Sequence, residues 1–88
     1  MRVAGMILIA KQSLTKMGKL MARFKLEDLE GEVECIVLPK TYTPDIAKIL
    51  VPHEMVVVKG RLEEKGAILA DEVVPLKAAR DRLVKRVL

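Results

Sequence analysis

The chain has 88 residues, which is enough for one small domain with a single core and excludes a second domain. Hydrophobic residues make up 51% of it and aromatic residues 2%, so the core has to be aliphatic, with Phe24 and Tyr42 as the only rings. The formal net charge is +4, and the single cysteine, Cys35, excludes an internal disulfide and a zinc site made of paired cysteines.

Charge is distributed unevenly along the sequence. Residues 1–25 carry six basic residues and no acid, residues 26–74 carry five basic and eleven acidic residues, and residues 75–88 carry five basic residues and one acid. A charge excess confined to one part of a chain is typical of a surface that binds a polyanion. We therefore expect such a surface in the first part of the chain, with an ordinary solvated face as the alternative.

The first predicted strand runs from about Arg2 to Lys11. Its apolar run is eight residues long, from Val3 to Ala10, whereas a membrane span needs about 18. We therefore predict a buried strand and no membrane segment. Because both faces are apolar, we expect a central strand that bends between two sheets, with Gly5 allowing the bend. Since only Met1 precedes this strand, we expect the chain to be a domain cut from a longer protein.

The next predicted unit is a hairpin. After a polar loop at residues 12–19, apolar and charged residues alternate through Phe24–Leu38, which is the period of strands with one buried face. Asp28 suits the first position of a tight turn, and Gly31 supplies the positive φ that closes a three-residue loop. Strand parity predicts that six side chains point into the core: Phe24, Leu26, Val33, Cys35, Val56 and Val58.

The second half of the chain mixes helix and strand signals. Pro39 ends the third strand, and a short helix is predicted over Pro44–Leu50 with Thr43 as its cap. The fourth strand is predicted over Met55–Glu63, with a bulge at Gly60, and the fifth over Ala67–Val74. Pro75 is expected to open a C-terminal helix, so we divide the chain into a barrel at 1–75 and a basic amphipathic helix at 76–88.

This order of elements predicts an all-β fold. Three strands, a short helix and two more strands fit the OB-fold, a five-stranded barrel with a helix between its third and fourth strands. A split or sandwich fold is the main structural alternative.

Four segments carry a resemblance to a known family. They are residues 3–5, residues 14–19, residues 21–34 with LEDLEGEVE at their end, and VVVKGR at residues 56–61. Over about residues 2–80 the chain resembles the OB domain in the C-terminal part of the α subunit of bacterial replicative DNA polymerase III. The resemblance implies a module that binds single-stranded DNA near the template and carries no catalysis.

The basic first part of the chain supplies the candidate binding residues. Lysines there would contact phosphates as point charges, which gives affinity without sequence choice. The candidates from charge and position are Lys11, Lys16, Lys19, Arg23 and Lys25, and the resemblance adds Lys65 in the loop between the last strands. The outward residues of the second and third strands are predicted to be Met21, Arg23, Lys25, Glu34 and Ile36. Since none of these is aromatic, base stacking would need Phe24, which has the parity of the core.

Other chemistry has little support in the sequence. His53 has no Ser, Cys or second His in a recognisable motif, so we predict no general base. The acids around the hairpin alternate between faces, which argues against a metal site, and no glycine-rich phosphate loop is present. Cys35 is expected to be a small buried hydrophobe. No cofactor is predicted.

The sequence thus predicts a non-catalytic, cytoplasmic OB-fold domain that binds single-stranded DNA, within a replicative polymerase and in contact with other replisome subunits. The alternative is a protein-interaction OB domain with negligible affinity for nucleic acid. In that case the acidic middle segment and an exposed Ile36 would meet a partner.

Overall fold

The computed structural model of the protein describes residues 1–77. Within those residues the elements are, in chain order, β1 (Arg2–Leu14), β2 (Leu20–Asp28), β3 (Gly31–Val37), α1 (Pro44–Ile49), β4 (Met55–Leu62) and β5 (Ile68–Pro75).

The strands form a closed barrel in the order β1-β2-β3-β5-β4. Neighbouring strands are antiparallel except β3 and β5, which run parallel and pair at two positions, Cys35 with Ile68 and Ile36 with Leu69. α1 connects β3 to β4. The predicted five-stranded barrel with a short helix between its third and fourth strands is therefore confirmed, and this is the arrangement expected of an OB-fold.

β1 belongs to both halves of the barrel. Its first part, through Met6, pairs with β4, and its second part, from Met6 onwards, pairs with β2. β1 therefore pairs with two different strands, and its register shift lies at Leu8 rather than at Gly5, where the bend was predicted. Gly5 has a different role, because a Cβ there would overlap the backbone carbonyl oxygen of Glu27. β1 and β2 approach each other so closely at this point that no side chain larger than that of glycine fits.

β1 is also longer than predicted. It continues past Lys11 to Leu14, which pairs with Leu20, so the connecting loop shrinks to Thr15–Lys19. The polar residues Gln12 and Ser13 do not end the strand, because its backbone pairing with β2 continues through both of them whatever their side chains.

The β2–β3 hairpin forms where the sequence predicts it. Oδ1 of Asp28 accepts hydrogen bonds from the backbone N–H groups of Glu30 at 2.8 Å and Gly31 at 3.0 Å. Gly31 has φ +138°. Asp28 and Gly31 still pair across the strands, so the loop contains Leu29 and Glu30 and is one residue shorter than predicted.

α1 packs against the barrel core. Thr43 caps it by accepting a hydrogen bond on Oγ1 from the backbone N–H of Ile46 at 3.3 Å, and Pro44 occupies the first turn. Ile46, Ile49 and the buried Leu50 pack against the barrel core. Both the cap and the apolar face agree with the sequence-based prediction.

The core is aliphatic around one ring. Phe24, Leu26, Cys35, Val56 and Val58 are buried as predicted. The sixth predicted core residue, Val33, is partly buried and packs against the same cluster. In the described part of the chain no polar or charged residue is buried.

The end of β5 differs from the prediction. Pro75 is the last residue of β5, where it pairs with Val56, and the two residues after it, Leu76 and Lys77, are helical. A proline is tolerated at a strand end because the missing N–H removes at most one ladder bond. The predicted C-terminal helix falls, after Leu76 and Lys77, on residues 78–88, which lie outside the described residues.

Candidate nucleic-acid interface

Three cations lie together on the outer face of β1 and β2. Lys11 is directly opposite Arg23, and Ile9 is directly opposite Lys25. Residues opposite each other in an antiparallel pair share a face, with Cβ atoms about 5 Å apart. Like charges in this position repel, and an anion placed between them relieves the repulsion. We call Lys11, Arg23 and Lys25 the basic cluster.

Two shallow grooves cross this outer face and meet. The first has a volume of about 560 Å³ and contains the basic cluster. The second has a volume of about 650 Å³ and lies between β3 and the β4–β5 turn. Arg23 and Glu34 line both grooves, so the two grooves adjoin at these residues, and we call the pair of grooves the track.

The two grooves differ in charge. The first is lined by three cations against one carboxylate, Glu34, and we call it the basic groove. The second is lined by two cations, Arg23 and Lys65, against four carboxylates, and we call it the acidic groove: its carboxylates are Glu32, Glu34, Glu63 and Glu64. A polyanion is therefore attracted to one half of the track and repelled from the other.

The six predicted site residues fall in three places. Lys11, Arg23 and Lys25 line the basic groove, and Lys65 lies in the acidic groove. Lys16 and Lys19 are exposed in the loop between β1 and β2. The surroundings of Lys65 make it the weakest candidate of the six, because four carboxylates share its groove.

The loop with Lys16 and Lys19 projects past the third strand. β2 pairs with β3 only from Ala22 onwards, whereas its pairing with β1 continues to Leu20. β1 and β2 therefore extend beyond β3 as a two-stranded ribbon. The ribbon carries the two lysines at its end and continues from the strands that form the basic groove.

Glu34 lines both grooves, although the sequence placed it only on the outer face and not among the candidate binding residues. Its Oε1 lies 3.8 Å from Nη1 of Arg23, and in the β2–β3 pairing it is directly opposite Lys25. Both partners of the ion pair are exposed, so the pair contributes about 0–1 kcal/mol and exchanges readily for another anion. Counting residues outward from the turn, where Asp28 pairs with Gly31, gives the register of the hairpin. This register pairs Glu34 with Lys25, so the contact could be predicted from the sequence.

Aromatic stacking is not available on this face. Phe24 is 1% exposed and belongs to the core. Ile36, predicted to be exposed, is buried at 9% exposure. Its backbone pairs with Arg23 on one side and Leu69 on the other, so it sits inside the sheet rather than at an edge. This face therefore offers charged side chains and no exposed aromatic ring.

The remaining candidates for chemistry have structural roles. Burial, with a smaller contribution from the charge of Glu34, raises the pKa of the Cys35 thiol to about 12, so it stays protonated at neutral pH and is a poor nucleophile. His53 lies in an exposed turn with φ +73°, and its backbone N–H donates to the carbonyl oxygen of Ile7 at 2.7 Å. Among residues 1–77, no group of His, Cys, Asp and Glu residues is arranged to hold a metal ion. Nor does any helix there have the length and apolar character to cross a bilayer.

Comparison with known proteins agrees with the resemblance found in the sequence. The chain is 36% identical over 78 residues to DNA polymerase III subunit alpha of Saccharopolyspora erythraea, across 85% of this chain and 6% of that protein. It is 43% identical over 63 residues to DNA polymerase III subunit alpha of Aquifex aeolicus, across 70% of this chain and 5% of that protein. The chain thus spans only 5% to 6% of the length of these curated relatives. No protein-family model matches it.

Proposed function

Because the chain resembles a short segment of DNA polymerase III subunit alpha, we propose that it is a non-catalytic OB-fold module that binds single-stranded DNA within a bacterial replicative polymerase. The observation that carries this proposal is the basic cluster on the outer face of β1 and β2, next to the loop with Lys16 and Lys19. OB-folds bind oligonucleotides with the face of strands two and three and with the loops that flank it.

The mode of binding follows from the residue types. Four of the five cations are lysines, which hold phosphates as point charges, and the face has no exposed ring to grip a base. Binding of this kind is independent of sequence. Arg23, as the one guanidinium, can also lie flat against a base. We place the module in the cytoplasm, with other replisome subunits as further partners.

We expect the chain to bind single-stranded DNA weakly, because carboxylates lie close to the candidate cations. Glu34 on β3 lies beside both Arg23 and Lys25 on β2, and the acidic groove repels a strand that continues past them. The bound strand is therefore confined to the basic groove and the ribbon. We expect a dissociation constant in the micromolar range or weaker.

Replacing Glu34 by glutamine is expected to tighten binding to single-stranded DNA. Removing one charge at about 4 Å in water is worth about 1 kcal/mol, which corresponds to roughly a fivefold gain in affinity. Glu32→Gln is the matched control, because Glu32 lies on the same strand and lines only the acidic groove. Fluorescence anisotropy with a labelled oligonucleotide measures both. Equal affinities of the two variants would show that Glu34 does not compete with DNA.

The second candidate function is protein interaction, and the acidic groove favours it. Four carboxylates around a groove with the apolar Val33 and Ala67 would suit a basic segment of a partner. Ile36 no longer supports this candidate as an exposed contact, because it is buried.

A titration of the chain against labelled single-stranded and duplex oligonucleotides separates the two functions. At low salt the proposal expects measurable binding that is tighter for the single strand. A chain that stays unbound under these conditions would refute the proposal and leave the protein-interaction function.

A further inference from the structure

The end of the β1–β2 ribbon exposes three apolar side chains. Leu14 is 64% exposed, Met17 83% and Leu20 48%. Leu14 and Leu20 are directly opposite each other in the strand pairing, so they lie side by side just below the loop that carries Met17. We call Leu14, Met17 and Leu20 the apolar tip.

The loop that carries Met17 is held in one shape. The backbone N–H of Thr15 donates to the carbonyl oxygen of Lys19 at 2.8 Å, and that of Gly18 donates to the carbonyl oxygen of Thr15 at 2.9 Å. The N–H of Lys19 also lies 3.2 Å from Oγ1 of Thr15. Gly18 has φ +78°, which completes the turn. The backbone of Met17 is therefore held at a fixed point, so binding has to order its side chain but not the loop.

The charged residues next to the apolar tip in the sequence are all positive. Lys16 and Lys19 flank Met17, and no acidic residue occurs before Glu27. The other hairpin gives the contrast, because its exposed Leu29 stands between Asp28 and Glu30. Single exposed apolar residues are common on protein surfaces. Three exposed apolar side chains next to two lysines instead suit a ligand that is both anionic and apolar. An unpaired nucleotide is such a ligand, because it has a phosphate and an apolar base face.

We propose that the apolar tip packs against unpaired bases of a single strand whose phosphates contact Lys16 and Lys19. This inference rests on the proposed function and adds a base contact to it. Aliphatic and methionine side chains pack against or between bases in other nucleic-acid complexes. The apolar tip thus supplies the contact that exposed aromatics make in other single-strand-binding proteins and that the outer face of this barrel cannot make.

An abasic oligonucleotide tests the inference, because it keeps the phosphates and lacks the bases. The unmodified chain is expected to bind a normal single strand about tenfold more tightly than an abasic strand of the same length at the same salt concentration. The Met17→Ser/Leu20→Ser double variant is expected to lose that preference while binding the abasic strand as the unmodified chain does. Both substituted positions are exposed, so the fold should be unaffected, which circular dichroism checks.

Leu29→Ser is the matched control, since it removes an exposed leucine from the acidic hairpin and should keep the tenfold preference. Equal binding of normal and abasic strands by the unmodified chain would overturn the inference and leave the phosphate contacts intact. Absence of binding to either strand would instead overturn the proposed function itself. Dimers in sedimentation velocity that the double variant abolishes would make the apolar tip a self-association surface and also overturn the inference.

Discussion

Reversing the charge of Lys16, Lys19 and Arg23 together, each to glutamate, is expected to abolish binding of the chain to single-stranded DNA. With Lys25, these residues would neutralise about four phosphates in the unmodified chain. The slope of log affinity against log salt concentration is then about −3, so a fourfold rise in salt lowers the affinity roughly fiftyfold. The triple variant replaces attraction by repulsion at three of the four positions and should give no measurable anisotropy change.

A second triple variant distinguishes the effect of the interface residues from the effect of the net charge on binding. Lys40, Lys48 and Lys59 are exposed and line neither groove. Their reversal to glutamate changes the net charge by the same amount and should leave most of the binding in place. Reversal of Arg82 and Lys85, which lie outside the described residues, should likewise have a smaller effect. Equal losses in all three variants would mean that net charge, and not the position of Lys16, Lys19 and Arg23, governs binding.

Gly60→Ala is expected to destabilise the barrel by about 3 kcal/mol or more. β4 and β5 shift register next to Gly60, and a Cβ there would overlap the backbone carbonyl oxygen of Leu69. Overpacking in a well-packed core usually costs about 1–3 kcal/mol, and here the obstacle is backbone that cannot rotate away. For a domain of this size the melting temperature should fall by roughly 10–20 °C.

Gly18→Ala is the control for this substitution. Gly18 has φ +78° but open space around its Cβ position, so alanine there costs only the left-handed backbone penalty of about 1 kcal/mol. Urea unfolding followed by circular dichroism gives both values. A Gly60→Ala variant as stable as Gly18→Ala would contradict the close approach of β4 and β5.

Elements set by local chemistry could be predicted from the sequence. The Asp28 carboxylate and Gly31 define the hairpin turn within four residues, and Thr43 with Pro44 defines the helix start. Strand parity likewise identified Phe24 as a core residue. These signals do not depend on which strand pairs with which.

Features set by distant pairing were missed. The burial of Ile36 depends on β5 lying beside β3, and the extension of β1 to Leu14 depends on its pairing with Leu20. For the same reason the sequence could not tell that Lys65 shares its groove with four carboxylates. Lys11, Arg23 and Lys25 were identified by charge, and only the β1–β2 register brings Lys11 next to Arg23.

The strand pairs of the barrel differ in how many backbone pairs hold them together, and the parallel pair of β3 and β5 has few. β1 and β2 pair at eight positions, whereas β3 and β5 pair at two. Parallel bonds are also slightly weaker per residue, and these two join segments that are far apart along the chain. We call the β3–β5 pairing the seam. Separating β3 from β5 there therefore costs less free energy than separating β1 from β2. Val33, Ile36 and Ala67, which line the acidic groove, lie along the same seam. A molecule that binds in that groove only while β3 and β5 are paired therefore raises the free energy of opening the barrel, by an amount that grows with its concentration relative to its dissociation constant.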